Sequence, residues 1–244
     1  MRKPIIAGNW KMNKTVEESV DMVKNLLPLV QDIDDVDIVV CPTFTALYPV
    51  SEIIKGSSIK LGAQNMSNED SGAFTGEISA DMLKSSGCEY VIVGHSERRE
   101  YNNESNELIN KKIKKVISSG LLPILCVGEK LEQREAGITN DVVKEHVVEG
   151  LKDIDNNDIL KIVIAYEPVW AIGTGKTATS EQAQEVHAFI RSILAELYDD
   201  QIAAQIRIQY GGSVKPSNVK ELMANEDLDG ALVGGASLDP ESFE

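Results

Sequence analysis

Residues 91–99 read VIVGHSERR, an uncharged and largely β-branched run that gives way at once to a polar, charged segment. A continuous apolar run of this kind is typical of a strand covered on both faces, as in a parallel sheet. The polar residues then follow the carboxyl end of the strand, and His95 is the first of them. A helix that begins just after His95 would favour the neutral imidazole, because a helix amino terminus carries partial positive charge.

The same succession, a short apolar run and then an amphipathic stretch, recurs along the whole chain. Thr15-Val16-Glu17-Glu18 and Thr179-Ser180-Glu181-Gln182 fit capping boxes that open two amphipathic helices, and the apolar spacing of residues 109–117 indicates a third. The predicted strands are Pro4–Ala7, Ile38–Val40, Ile59–Ala63, Val91–Val93, Leu121–Val127, Lys161–Ala165, Ile206–Tyr210 and Ala231–Val233.

Strand–helix units repeated in this way through 244 residues predict an α/β fold, a (β/α)8 barrel that forms one catalytic domain over residues 1–244. The alternative is a doubly wound open sheet. Its glycine-rich dinucleotide turn should follow the first strand, but Gly8-Asn9-Trp10-Lys11 stands there instead. The barrel is therefore the favoured fold.

Composition indicates a cytoplasmic protein that binds neither nucleic acid nor membrane. The net charge of −15 would repel a phosphate polymer, although a local cationic site can still bind a small anion. No apolar stretch approaches the roughly 18–20 residues that span a bilayer, and the run after Lys3 is too short for a signal peptide. Cys41, Cys88 and Cys126 are widely spaced and odd in number, which predicts buried, reduced thiols.

Chemistry in a (β/α)8 barrel takes place just beyond the carboxyl ends of the strands. A candidate base, an imidazole and a cation are predicted to converge at that rim, whereas His146 and His187 lie within helical patterns and are not expected to act. The rim residues are Asn9 and Lys11 after the first strand, His95 after the fourth and Glu167 after the sixth.

Glycine pairs follow the last two predicted strands, Gly211-Gly212 before Ser213 and Gly234-Gly235. Each pair alone could be a tight turn, but together they match the site at which barrels of this kind bind phosphate through backbone N–H groups. Lys11 alone would be an ordinary surface lysine, and Glu167 alone could form a structural salt bridge. Their shared position instead indicates a site for a phosphorylated substrate.

Residues 168–176 predict a mobile lid, because an apolar segment is followed there by glycines that can serve as a hinge. The letters GTGKT at 173–177 resemble the end of a nucleotide-binding P-loop. That motif requires a glycine at the position of Trp170, and a strand should lead directly into it. We therefore do not interpret this segment as a nucleotide site.

Seven ordered motifs resemble those of the triosephosphate isomerase family, and the resemblance covers essentially the whole chain. The motifs are Gly8–Asn13, Gly62–Asn65, Ser71–Glu77, Gly94–Arg99, Ala165–Gly175, Tyr210–Ser213 and Gly234–Ala236.

The resemblance implies interconversion of dihydroxyacetone phosphate and glyceraldehyde 3-phosphate through an enediolate, with no metal and no organic cofactor. Glu167 resembles the base, and neutral His95 the electrophile that moves protons at the two oxygens. Lys11 would stabilise negative charge, Asn9 would donate a hydrogen bond near the carbonyl oxygen, and Glu97 would order Lys11. The backbone groups implied in phosphate binding are those of Gly173, Ser213, Gly234 and Gly235.

The motif Ser71–Glu77 resembles a loop that inserts Thr75 into a second subunit near its active site, so a homodimer is implied. A phosphate-binding barrel that has lost catalysis and serves as an interaction scaffold is the alternative function. It is disfavoured because every chemical residue is present. An aldolase or decarboxylase that uses a Schiff base would need a lysine at the end of a central strand, and none is found.

Overall fold

The apolar runs form the strands of a closed parallel barrel in a computed structural model that describes residues 2–172 and 177–244. Neighbouring strands follow chain order, and the last strand closes on the first, so that Ile5 lies opposite Gly230. The predicted (β/α)8 barrel, or TIM barrel, is confirmed. The strands are β1 (Ile5–Asn9), β2 (Asp37–Cys41), β3 (Ile59–Ala63), β4 (Tyr90–Val93), β5 (Leu122–Val127), β6 (Val163–Tyr166), β7 (Arg207–Tyr210) and β8 (Gly230–Val233).

Two apolar cores cover the strands, one inside the barrel and one between the barrel and its helices. Successive strand residues point to opposite faces, so Val39 packs inside the barrel while Ile38 and Val40 pack against the outer layer. Each fully buried residue of this type stabilises the fold by roughly 1.5–3 kcal/mol. Burial on both faces explains why the runs are continuous rather than alternating.

The helices form the outer layer and begin where the capping pattern predicts. Thr15 Oγ1 accepts the Glu18 N–H at 3.3 Å, and the Glu18 carboxylate accepts the Thr15 N–H at 2.7 Å. The Thr179 and Gln182 side chains form the same reciprocal box. The helices are α1 (Val16–Val30), α2 (Leu47–Ile54), α3 (Ala80–Ser85), α4 (Ser96–Tyr101), α5 (Asn106–Ser118), α6 (Leu131–Glu135), α7 (Thr139–Gly150), α8 (Ser180–Leu197), α9 (Asp200–Ala203), α10 (Val219–Leu222) and α11 (Pro240–Phe243).

Strand bounds depart from the predicted ones where side chains favour a turn. Lys161 was expected in the sixth strand, but it ends a 3₁₀ turn, where its Nζ donates to Asp158 Oδ1 at 2.6 Å. Pro4 precedes β1 rather than opening it, because proline has no N–H to donate to a neighbouring strand. At its other end β1 extends to Asn9, so that side chain is held by the barrel itself.

The predicted state of the cysteines is confirmed, since Cys41, Cys88 and Cys126 are all buried and unpaired. Burial raises the pKa of Cys88 to about 12, so its thiol stays protonated at neutral pH. Within residues 2–172 and 177–244, the structure contains no helix with the length and apolar character needed to cross a bilayer.

Candidate active site

A cavity of about 780 Å³ opens at the carboxyl ends of the strands. It brings together the four side chains predicted at the rim, together with Ile172. Glu97 lies beside this group and reaches it through Lys11. Gly173 belongs to the stretch outside the described residues. The predicted residues that line the cavity are Asn9, Lys11, His95, Glu167, Ser213, Gly234 and Gly235.

The centre of the site is a buried contact between Glu167 and His95. Glu167 Oε1 lies 2.8 Å from His95 Nε2, and Glu167 Oε2 accepts the backbone N–H of Ser96 at 3.0 Å. Glu167 is 2% exposed and His95 is 5% exposed. Two hydrogen bonds therefore fix the Glu167 carboxylate just beyond the end of β6, one with His95 and one with Ser96, the first residue of α4. The low exposure of both side chains keeps this contact largely free of water.

The hydrogen bonds of the His95 ring identify the nitrogen that carries its proton. His95 is the N-cap of α4, and its Nδ1 accepts the backbone N–H of Glu97 at 3.2 Å. A nitrogen that accepts a hydrogen bond in the neutral ring has no proton, so the proton is on Nε2. His95 thus points an N–H donor into the cavity, where it meets the Glu167 carboxylate.

Burial and charge act in opposite directions on this pair. Burial lowers the pKa of His95, but the charge and hydrogen bond of Glu167, together with the charge of Glu97, raise it by more. The pKa therefore lies above its ordinary value. Burial raises the pKa of Glu167, whereas His95, the Ser96 N–H and Lys11 together hold it below its ordinary value. The carboxylate is therefore ionised at neutral pH, as a base must be before it accepts a proton.

Lys11 reaches the cavity from an unusual backbone conformation. Its φ angle of 52° lies in the left-handed region, and Asn9 Oδ1 accepts its N–H at 3.1 Å. Gln64 Nε2 donates to the Lys11 carbonyl at 2.9 Å and to the Cys41 carbonyl at 2.9 Å. The Lys11 ammonium then donates to Glu97 Oε1 at 2.6 Å. These contacts from several strand ends hold the cation in place.

The two glycine turns present backbone rather than side chains to the cavity. A Cβ at Gly212 would lie 2.1 Å from the Tyr210 hydroxyl, so no larger residue fits there. A Cβ at Gly235 would meet nothing within 4 Å, and one at Gly234 would meet only Lys11 Cε at 3.8 Å. The turn after β8 therefore borders open space next to a cation, an arrangement that suits an anion.

Sequence reasoning missed Glu129, which follows β5 and is fully buried. Its carboxylate accepts hydrogen bonds from the Tyr166 hydroxyl at 3.1 Å, from Trp170 Nε1 at 2.8 Å and from Arg134 at 3.2 Å. The Arg134 guanidinium also lies 4.9 Å from the centre of the Trp170 ring. The signal was its place just beyond a strand end, the same criterion that identified His95.

Glu129 also anchors the first residues of the predicted lid. Its carbonyl accepts the Val169 N–H at 3.0 Å, and residues Val169–Ala171 form a 3₁₀ turn. Residues 173–176, which include the rest of that segment and Gly173, lie outside the described residues. The lid therefore stays a prediction.

Comparisons with known proteins agree with this geometry. The family description "Triosephosphate isomerase" matches residues 4–244. The triosephosphate isomerase of Carboxydothermus hydrogenoformans is 58% identical to this chain over 243 residues, which cover 100% of this chain and 97% of the relative. That of Clostridium botulinum strain Langeland is 57% identical over 243 residues, which cover 100% of this chain and 98% of the relative. That of Dictyoglomus thermophilum is 55% identical over the same length, with 98% of it covered. The chain belongs to the triosephosphate isomerase family.

Proposed function

We propose that this isomerase interconverts dihydroxyacetone phosphate and glyceraldehyde 3-phosphate, with Glu167 moving a proton between carbons 1 and 2. The observation that carries the proposal is the ionised, buried Glu167 carboxylate 2.8 Å from an imidazole N–H, in a cavity that also contains Lys11. A proton next to a carbonyl is barely acidic. A carboxylate removes it at a useful rate only if the oxyanion is stabilised as it forms.

His95 supplies that stabilisation as a neutral donor. The Nε2–H now bonded to Glu167 is aimed at the cavity, and a substrate oxygen takes over this hydrogen bond when the carboxylate turns to the substrate carbon. Once Glu167 has accepted the proton, the larger of the two charges that raise the pKa of His95 is gone, and the smaller effect of Glu97 is opposed by Lys11. Burial and the amino terminus of α4 then keep the ring neutral, and it can move protons between the two substrate oxygens.

The remaining polar groups hold the substrate. Lys11 neutralises the negative charge of the phosphate and of the enediolate, and Asn9 donates near the carbonyl oxygen. Glu97 orders Lys11 through their 2.6 Å ion pair. The proton that leaves one carbon returns to the other, so the reaction needs neither an electron acceptor nor an organic cofactor. We assign phosphate binding to the backbone of Ser213, Gly234 and Gly235, with Gly173 added by family resemblance.

We also propose a homodimer formed through Ser71–Glu77. Every residue of this segment is exposed, and Phe74 is 47% exposed at its tip. Two further large apolar side chains are exposed, Met12 at 94% in the loop after β1 and Tyr48 at 59% in α2. Exposed large apolar side chains of this kind are what a surface covered by another protein would present. A second copy of this chain is the covering partner that we propose.

A coupled assay that detects dihydroxyacetone phosphate formed from glyceraldehyde 3-phosphate tests the proposed reaction. We expect rapid turnover by the wild type and its near loss in Glu167→Gln, which keeps the shape of the side chain but removes the base. Turnover that survives in Glu167→Gln contradicts the proposed role. A wild type that binds inorganic phosphate but forms no product supports the alternative of a silent phosphate-binding scaffold.

A further inference from the structure

Three aromatic rings lie together behind the candidate active site. The Tyr166 ring meets the His187 ring edge-on, with centroids 5.8 Å apart and planes at 84°. The His187 and Tyr210 centroids are 6.3 Å apart, and those of the two tyrosines are 6.5 Å apart. Tyr166 directly precedes Glu167, and Tyr210 directly precedes the Gly211 turn. His187, on α8, thus contacts the ends of two strands that build the site.

His187 is oriented by a backbone carbonyl. Its Nδ1 lies 3.2 Å from the Asp227 carbonyl oxygen, which can only accept, so Nδ1 carries the ring proton. The Asp227 side chain is in turn held by Gln184, whose Nε2 donates to it at 2.7 Å, and by Arg191. The ring is fully buried, and burial lowers the pKa of His187 to about 4. It is therefore neutral at physiological pH, with Nε2 free to accept a hydrogen bond.

Two buried polar atoms of this ring cluster lack a hydrogen-bond partner within the part of the chain that the structure describes. They are His187 Nε2 and the Tyr210 hydroxyl, which makes no hydrogen bond of good geometry although the Ala178 backbone approaches its oxygen. A buried polar atom left without a hydrogen bond destabilises the fold. The two atoms are chemically matched, because the hydroxyl can donate and Nε2 can only accept. A hydrogen bond from the Tyr210 hydroxyl to Nε2, direct or through one bridging water molecule, would satisfy both atoms.

The separation of these two strand ends also determines where the proposed base lies. The Gly211 N–H donates to the Tyr166 carbonyl at 2.7 Å. Gly211 and Glu167 are so close that a Cβ added to Gly211 would lie 2.9 Å from Glu167 Cγ. A change in the packing of Tyr166 against Tyr210 would therefore be transmitted to the Glu167 side chain and to the turn before Ser213.

We propose that His187 is a positioning residue for the reaction. It acts through Tyr166 and Tyr210 to fix the position of Glu167 relative to the Gly211–Ser213 turn. This inference rests on the proposed function, because it assigns Glu167 as the base and the turn as part of the phosphate site. The sequence pattern had placed His187 among ordinary helix residues, and its contacts with the two strand ends give it this further role.

The first test is His187→Phe, which fills the space of the ring but removes both nitrogens. We expect kcat to fall about tenfold, since the base is displaced by a fraction of an ångström, and KM to rise because the phosphate turn shifts as well. Ile193→Ala is the matched control. Ile193 lies on the same helix and is fully buried, but it is no part of the ring cluster. It should lower Tm and leave both kinetic constants within twofold of the wild type.

Two further variants test the pairing of His187 with Tyr210. A glutamine amide places an acceptor near the Nε2 position, so His187→Gln should retain more kcat/KM than His187→Phe. If the Tyr210 hydroxyl and Nε2 act as a unit, Tyr210→Phe combined with His187→Phe should be no more impaired than the worse single variant. Independent, additive losses would contradict the pairing.

The proposal is overturned if kcat and KM of a folded His187→Phe both stay within twofold of the wild type, whatever its Tm. If His187→Phe does not fold, His187→Gln and Tyr210→Phe decide, and unchanged constants in both overturn it. A wild type without isomerase activity would instead refute the proposed function. The two failures are therefore distinguishable in the same set of assays.

Discussion

Shortening the proposed base by one methylene group gives the sharpest test of its role. Glu167→Asp withdraws the carboxylate by about 1 Å. Its contact with His95 Nε2 then opens from 2.8 to about 3.8 Å, and that with the Ser96 N–H from 3.0 to about 4.0 Å, beyond hydrogen-bonding distance. Misplacement on this scale costs roughly 10²-fold in rate, equivalent to about 2.7 kcal/mol of activation free energy. We therefore expect kcat to fall about 100-fold.

KM should change less than about threefold, because the phosphate contacts lie away from the reacting carbons and persist in the variant. Steady-state kinetics of the coupled assay measure both constants. Glu135→Asp is the control, since it makes the same change at the exposed end of α6 and should have no effect. A Glu167→Asp enzyme whose kcat stays within about threefold of the wild type would refute the assignment of Glu167 as the base.

Three further perturbations have expected outcomes. Gly211→Ala places a methyl group 2.9 Å from Glu167 Cγ and 3.1 Å from the Tyr166 carbonyl oxygen. The proposed base must retreat, so kcat should fall about tenfold in the same assay, and the backbone contact should lower Tm as well. Thr75→Arg puts a charge where the second subunit should close around a small hydroxyl. Sedimentation velocity should then show monomers, and an active dimer would contradict the proposed interface. Burial raises the pKa of Glu104, but ion pairs with Lys112 and Arg98 hold it below the ordinary 4.5. The ionised carboxylate therefore stabilises the fold above pH 4.5. This stabilisation is lost as the pH falls through the lower pKa of the folded state. Tm measured against pH should fall below about pH 4.5, and less steeply in Glu104→Gln.

Much of the site could be predicted because a closed parallel barrel determines where strand ends meet. Once the apolar runs are identified as strands, Asn9, His95 and Glu167 must lie on one rim, although they are far apart in sequence. The sequence pattern gives no distances between side-chain atoms, however. It could not show that the carboxylate of Glu167 already contacts the His95 ring, which depends on how α4 begins.

Residues that do not line the cavity but support those that do were harder to predict. The Glu129 carboxylate is held by hydrogen bonds from Tyr166, Trp170 and Arg134. These three donors come together through tertiary packing, which their spacing along the chain does not reveal. His187 has the periodicity of an ordinary helix face, and only the docking of α8 on the barrel shows which rings it meets. Helical periodicity identifies the buried face but not its neighbours.

The strained backbone of Lys11 has a consequence for how activity develops during folding. A left-handed, non-glycine residue costs on the order of 1–3 kcal/mol unless its surroundings hold it there. Part of that support comes from Gln64, just beyond β3, whose amide joins the Lys11 carbonyl to the end of β2. A partly folded chain in which β3 has not yet joined β1 and β2 would contain Lys11 but would allow it to relax. Recovery of isomerase activity in a refolding experiment should therefore follow barrel assembly and not the earlier formation of helices.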